Sequence, residues 1–348
     1  MKRSAASGAV LGRGPSPRRA LPPRGEAGVA DRLGDPGLRL LALLASVASM
    51  VLIAALVYKV FDQAGESISH FGLGFVTANV WNPVTRSFGA ASFIYGTAVS
   101  SLIALLIAGP MSIAIALFLT ELAPVRVRRP VATLVELLAA IPSVVLGLWG
   151  IIVMAPFLNN TLEPALRSIL GWIPLFAGSA SPFGLLPAIL ILTIMTVPIV
   201  AAVTREVFQT VPTELKESAL ALGSTRWEMV RMVILPYAKS GIVGASILGL
   251  GRALGEAIAV TQVIGDETGI HVSLFAPADT LASRVASTYQ GATSTLEISS
   301  LAYLAAILLV FALIANAIAR LIVRRSTLRM RAAGPRPGLA VTVAEAQV

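Results

Sequence analysis

Six stretches of about twenty residues or more, at 40–58, 94–120, 131–158, 184–204, 237–264 and 298–323, run with almost no charge. Each is long enough for an α-helix, rising about 1.5 Å per residue, to cross the ~30 Å hydrocarbon core of a bilayer. Only helices and closed barrels satisfy their own backbone polar groups in lipid, and runs this continuously apolar fit helices rather than alternating strands. Composition agrees with the pattern. Of 348 residues, 56% are hydrophobic and 13% charged, whereas an average soluble domain carries about 25% charge. A soluble fold of this size would lack the polar surface to cover its core. The expected fold class is therefore all-α, a polytopic membrane protein with six transmembrane helices.

A net charge of +9 and a sequence pI near 10.6 raise the question of nucleic acid, which the placement of the charge answers. Of the 27 basic residues, 22 fall in the N-terminal tail, the connections after the second and fourth stretches and the C-terminal tail, counting Lys239 and Arg320 at the adjoining stretch ends. Lys59, Arg86, Arg167 and Arg284 fall on the opposite side, and Arg252 lies inside the fifth stretch. By the positive-inside rule both termini are cytoplasmic, as an even number of spans requires. The basic balance thus encodes orientation in a lipid bilayer, and no nucleic-acid partner is expected. Residues 1–39 read as a disordered basic cytoplasmic tail, rich in Arg, Pro, Gly and Ala without apolar period, residues 40–325 as the six-helix domain, and residues 326–348 as a second cytoplasmic tail.

Several chemistries are excluded outright. The chain has no cysteine, which removes thiol nucleophiles, disulfides and zinc–thiolate sites. His70 and His271 are too few for a histidine metal site, and no bound metal is expected. None of the four lysines follows a glycine, so the chain holds no phosphate loop for ATP. Nucleotide hydrolysis therefore belongs to another chain, and no cofactor is expected on this one.

The longest connection on the basic side, residues 205–236, carries the most organised pattern. Residues 213–222 are helix-prone, with Leu215, Ala219 and Leu222 on one face, and Gly223 stands where a helix end wants positive φ. Thr225 and Glu228 have the spacing of a capping box for a second short helix, which Leu235-Pro236 is expected to stop. A helix–glycine–helix element presented to the cytoplasm suits docking of a partner protein, although a plain amphipathic loop on the membrane has the same periodicity.

Glu217-Ser218-Ala219, then Gly223, then Val233 with Leu235-Pro236 resembles the EAA loop of bacterial ABC-importer permeases: E-A-A, three residues, G, nine residues, I-x-L-P. Ser218 and Val233 depart from that pattern conservatively. Trp81-Asn82-Pro83 with Phe88-Gly89-Ala90, the run from Glu136-Leu137-Leu138-Ala139 through Ile141-Pro142-Ser143 to Trp149-Gly150, and Gly251-Arg252-Ala253-Leu254-Gly255-Glu256 resemble one branch, the phosphate-specific permeases of PstC type. The resemblance implies a bacterial inner-membrane importer of inorganic phosphate. In it, two permeases, this one and a PstA-type partner, form the pathway. PstB-type ATPases using ATP and Mg²⁺ drive it, and a periplasmic PstS-type protein delivers phosphate. Glu217, Ala219, Gly223, Leu235 and Pro236 would then form the ATPase-coupling element. The EAA pattern alone does not name the anion, so sulfate and molybdate stay open. A membrane-embedded acid–base enzyme using Glu136, Glu256 and Arg252 is a further reading, disfavoured by the missing nucleophile.

Arg252 and Glu256 carry the chemistry of the fifth stretch. A charge at the middle of a membrane helix costs about 2.5–3.5 kcal/mol on insertion scales, so both are expected to face protein or water. Their i, i+4 spacing allows them to pair. As a pathway site, Arg252 offers a donor fork to phosphate oxygens while Glu256 holds it; as a structural pair, the two fix neighbouring helices. Gly251 and Gly255 are expected to admit a neighbouring helix beside them. Glu136, less than two turns inside the third stretch, joins them as a pathway candidate or snorkels to the interface. Thr193, Thr196, Ser143 and Gln262 are the fallback polar groups for an anion. Trp81 is expected as an interfacial anchor.

Overall fold

A computed structural model describes the backbone of residues 29–332 and the side chains of residues 37–321. Among the described residues, six helical spans have the length and apolarity to cross a membrane: Gly37–Phe71, Ala91–Leu122, Ser143–Leu170, Leu185–Gln209, Arg226–Gly255 and Thr295–Leu321, spans 1 to 6 below. The first helix begins at Val29 and the last continues to Ala332. Residues 29–39 and 326–332, expected as tail, are therefore helical, because hydrogen bonding propagates outward from an apolar span already formed. The rest of both expected tails lies outside the described residues.

The chain divides into two units, residues 1–56 and 57–348. In the first, Leu41, Val51, Leu52 and Ile53 lie exposed along the helix, as suits a lipid-facing surface. In the second, span 4 is the most buried of the six. Span 2 packs on it through a stripe of small side chains, with Ser100, Ala104, Ala108 and Ser112 all buried. The Ser112 hydroxyl donates across the interface to the Val197 carbonyl at 3.0 Å, the kind of interhelical bond that small residues permit in membranes. Span 5 approaches span 4 at Gly241, where an added Cβ would strike Val207, and at Gly249, where it would strike Val200 and Thr196. The two spans therefore run antiparallel. Gly251 and Gly255 have open space where a Cβ would be; the close approach expected there occurs two residues earlier, at Gly249.

Two expected boundaries move at prolines, and a third, the end of the fifth stretch expected at 264, falls at Gly255. The third stretch does not start at 131. Val125–Ala140 is a separate amphipathic helix with no buried residue, and span 3 starts at Ser143. The break falls at Ile141, extended at ψ 127°, because the ring of Pro142 bars the preceding residue from helical geometry. Conversely, Leu235-Pro236 does not stop its helix. The turns Val230–Ile234 are π-helical, and Leu235–Gly255 continues directly with Pro236 in its first turn. A wider turn places an unpaired carbonyl where proline would otherwise clash and leave a bond unmade.

At one end of this unit the two-residue strands Trp81–Asn82 and Ser87–Phe88 pair antiparallel. Trp81 is only half-buried there but packs edge-on against Phe88 and Phe93 at 4.8 and 5.5 Å, so it serves this apolar cluster rather than acting as an isolated interfacial anchor. The connection 256–294 folds over the same end, with the short helices Ile258–Thr261 and Leu281–Thr288.

Candidate functional site

The connection after span 4 forms the two helices that its sequence spacing implies. Thr213–Ala221 is the first. It closes with Gly223 at φ +86°, the Gly223 N–H donating to the Leu220 carbonyl at 3.0 Å and the Ser224 N–H to Ala219 at 3.3 Å. Thr225 caps the second: its hydroxyl accepts from the Glu228 N–H at 3.3 Å, and the Glu228 carboxylate accepts from the Thr225 N–H at 2.7 Å. Both halves of the capping box are thus made. Leu215, Leu220, Leu222 and Trp227 remain exposed on this element, an apolar surface that one chain leaves uncovered.

The element is held to the spans by a pair absent from the sequence reading. Lys216 Nζ lies 2.6 Å from Glu121 Oε1, both more than four-fifths buried, and Arg226 donates to the Glu121 carbonyl at 3.5 Å. Glu121 occupies the π-helical last turn of span 2, Phe118–Leu122. Exposed Glu217 lines a cavity of about 270 Å³ beside this pair. Ala219 and Leu235 are half-buried in the cluster built on Phe208, Val211, Met229 and Ile234. Gly223 is the turn itself, and Pro236 opens the long helix of span 5.

That helix ends at Gly255, and Glu256 is extended at φ −72°, ψ 115°. Arg252 and Glu256 remain close, at 3.7 Å, with the Arg252 side chain 41% exposed and Glu256 only 9%. Glu256 also accepts the Ala259 N–H at 3.4 Å, so the carboxylate joins the end of span 5 to Ile258–Thr261. The exposed side of Arg252 opens on a groove of about 520 Å³ shared with span 4 and span 6. Of the fallback groups, Thr193 is satisfied by the Ile189 carbonyl at 2.7 Å, whereas Thr196 Oγ1 and Gln262 Oε1 are buried without a partner.

Glu136 is placed elsewhere. It lies on the amphipathic helix before span 3 and pairs with Arg205 at 3.1 Å while more than half exposed. Arg205 stands four residues from the end of span 4, and the Gly249 contact sets Arg252 near Thr196 on that helix. Nine residues of helix, about 13 Å, separate the two levels, so the structure does not join Glu136 to the Arg252–Glu256 pair.

A second ion cluster, on the connection 256–294, was hidden in the sequence. Arg284, counted there as an ordinary loop charge, is buried between Asp279 at 2.8 Å and Asp266 at 3.1 Å. Its guanidinium lies 5.0 Å above the Phe93 ring of span 2, within cation–π range. Gly265 and Asp266 both take positive φ, 99° and 53°, a turn that glycine and aspartate tolerate best. Burial pushes the Asp279 carboxyl up to about 7 while the Arg284 charge draws it down. The Leu281 N–H donates to Thr97 of span 2 at 2.9 Å, so the cluster clamps this connection onto span 2.

Comparison with known proteins places these features in a family. Residues 111–328 match the family described as binding-protein-dependent transport system inner membrane component. The phosphate transport system permease protein PstC of Mesorhizobium japonicum is 46% identical over 285 residues, 81% of this chain and 87% of that one. The PstC proteins of Pasteurella multocida and Xylella fastidiosa are 46% and 43% identical, over 79% and 81% of this chain and 87% and 89% of theirs. In fold, the chain is similar to a crystal structure of a bacterial alginate ABC transporter in complex with alginate pentasaccharide-bound periplasmic protein. The TM-score is 0.56 at 21% identity, over 86% of this chain and 99% of that one. A second alginate-importing ABC transporter gives 0.54 at 21% identity, over 84% and 99%. Six apolar spans, the EAA-type turn at Gly223 and this degree of identity make the chain a multi-pass protein of the bacterial inner membrane that belongs to the binding-protein-dependent transport system inner membrane component family and, within it, to the PstC permeases.

Proposed function

We infer that this chain is the permease subunit of an ATP-driven phosphate importer, forming half of the translocation pathway. The observation that carries the reading is 46% identity to a phosphate transport permease across 81% of the chain. As a transport subunit it performs no hydrolysis itself. A PstB-type ATPase supplies ATP and Mg²⁺ chemistry, a PstA-type permease completes the pathway and a PstS-type binding protein delivers the anion. Both termini and the 205–236 connection face the cytoplasm. There Glu217, Ala219, Gly223, Leu235 and Pro236 build the element that seats in the ATPase, with Leu222 and Trp227 as its apolar contacts. Arg252 meets phosphate in the pathway and Glu256 orients it; Glu136, paired with Arg205, braces the cytoplasmic end.

Reconstitution of the chain with those partners in liposomes tests the reading. Phosphate should stimulate ATP hydrolysis and enter the vesicles, while sulfate and molybdate should do neither. Uptake of sulfate or molybdate in preference to phosphate would refute the substrate, and ATP hydrolysis by this chain alone would refute its role as a passive subunit.

A further inference from the structure

The groove beside Arg252 has chemistry that the Arg252–Glu256 pair does not account for. Span 6 contributes Asn316 and Arg320 to it, span 5 contributes Leu248, Gly251 and Arg252, and span 4 contributes Ile199. Two arginines, both exposed to the groove, therefore line one cavity, and like charges set side by side favour an anion between them. Glu256 lies to one side of Arg252 at 3.7 Å; among the described residues Arg320 has no salt bridge. The Asn316 Oδ1 is buried and has no hydrogen-bond partner, a penalty a folded chain ordinarily avoids. Asn316 and Arg320 are four apart and share a helical face. Gly251 leaves its side of the groove open. Excess positive charge and an idle acceptor in one cavity describe a ligand that is an anion and also a hydrogen-bond donor.

The geometry points to a second oxyanion station formed by Arg252, Asn316 and Arg320, specific for a phosphate that carries a hydroxyl. This rests on the reading of the chain as a phosphate permease and adds to it a residue that chooses the anion. Inorganic phosphate at neutral pH keeps at least one P–OH, which donates to Asn316 Oδ1 while its other oxygens accept from the two guanidinium forks. Sulfate has no proton to donate, and neither does the phosphodiester of an ordinary phospholipid headgroup. Each would leave Asn316 unpaired, and a site built to hydrogen-bond a hydroxyl discriminates strongly against ligands lacking it. Arg320 lies one helical turn beyond Asn316, on a helix that continues to Ala332.

The absence of native cysteine allows a direct test. Leu248→Cys, at an exposed groove position, or Ile247→Cys beside it, is assembled with the partner subunits and labelled with a charged thiol reagent in phosphatidylcholine nanodiscs. Inorganic phosphate should slow labelling of this chain, whereas equal sulfate, or discs containing phosphatidylglycerol, should not. Arg320→Gln in that background should raise the phosphate concentration needed by about tenfold or more, the worth of one charge-assisted hydrogen bond, and Arg320→Lys should recover part of it. Asn316→Leu should abolish the preference for phosphate over sulfate. Labelling indifferent to phosphate at both cysteine positions, equal protection by sulfate or by anionic lipid, or an unchanged phosphate response in Arg320→Gln would each overturn the proposal. Protection by phosphate in an importer that transports none would sink the proposed function and leave this site standing; transport without protection would do the reverse.

Discussion

Arg284 offers the sharpest test of how the 256–294 connection is held. Replacing it with Met keeps most of the volume and the contact with Phe93 but leaves Asp279, 1% exposed, without its counter-charge. Removing one member of a buried pair costs about 3–5 kcal/mol, and little of this is recovered from Asp266, whose side chain is 55% exposed and hydrates freely. Most of the penalty belongs to the stranded carboxylate, so the pH dependence is fixed in sign. Burial already raises the Asp279 carboxyl to about 7 from an ordinary 3.8, and loss of Arg284 removes the main opposing influence. A carboxyl whose folded pKa is raised is best tolerated when protonated; its contribution to stability falls as pH rises through the folded value. Arg284→Met should therefore melt below wild type in detergent, and the deficit should be larger at pH 8 than at pH 6. The double change Asp279→Asn with Arg284→Met should recover most of the midpoint at both pH values. A single variant that melts with wild type, or whose deficit grows as pH falls, would refute the assignment of Asp279 and Arg284 as a buried, mutually dependent pair.

Three further outcomes follow from named contacts. Arg252→Met with Glu256→Gln should assemble with the ATPase yet lose most phosphate uptake; near wild-type uptake by the assembled double variant would reduce the pair to scaffold. Gly223→Val places a β-branched residue at φ +86°, costing about 1–2 kcal/mol or more, and should insert but fail to retain the ATPase in co-purification, a reading that wild-type retention would end. Gly96→Ala would drive a Cβ into the Asp279 carbonyl oxygen and should lower the melting midpoint by the equivalent of about 1–3 kcal/mol, whereas Gly109→Ala, which meets open space, should leave it unchanged.

What could be read from the sequence depended on whether the governing interaction was local. Gly223, Thr225 and Glu228 act within one turn of each other, so both the left-handed cap and the capping box were legible from spacing. The six spans were legible because the bilayer imposes one length on all of them. Pro142 and Pro236 behave in opposite ways that the residues alone do not announce: Pro142 bars the residue before it from the helix, whereas Pro236 follows a π-turn into the first turn of a continuing helix, and Pro110 and Pro198 sit inside regular helices. Lys216–Glu121 and Arg205–Glu136 join residues 95 and 69 apart in sequence, and Arg284 meets Asp279, five residues before it, only because both are folded into the same buried connection. In sequence Arg284 differs in no way from a solvated loop charge; only the fold brings Asp266, Asp279 and Phe93 around it. Asn316 carried no signal at all, since a single amide in an apolar span looks the same whether satisfied or idle.

Because the helix runs through Pro236, the Arg252–Glu256 pair stands on the same element as the Thr225 capping box. Had Leu235-Pro236 ended the second short helix, the docking element and Arg252 would belong to separate bodies joined by a hinge. Instead Arg226–Gly255 is one unbroken run of 30 residues, about 45 Å at helical rise, with the capping box at its first turn and Arg252 in its last. A displacement imposed at Thr225 has two places to be absorbed: the π-turns Val230–Ile234, where hydrogen-bond register is already shifted, and the helix end at Glu256. The first is braced by burial of Val230 and Ile234 against Phe208 and Val211. The second is where a carboxylate bonds Arg252 on one side and the Ala259 N–H on the other. On the proposed docking role, a displacement of the 205–236 element would reach the Arg252–Glu256 contact, and the spacing of that pair, rather than its presence, is the quantity an ATP-driven cycle would then change.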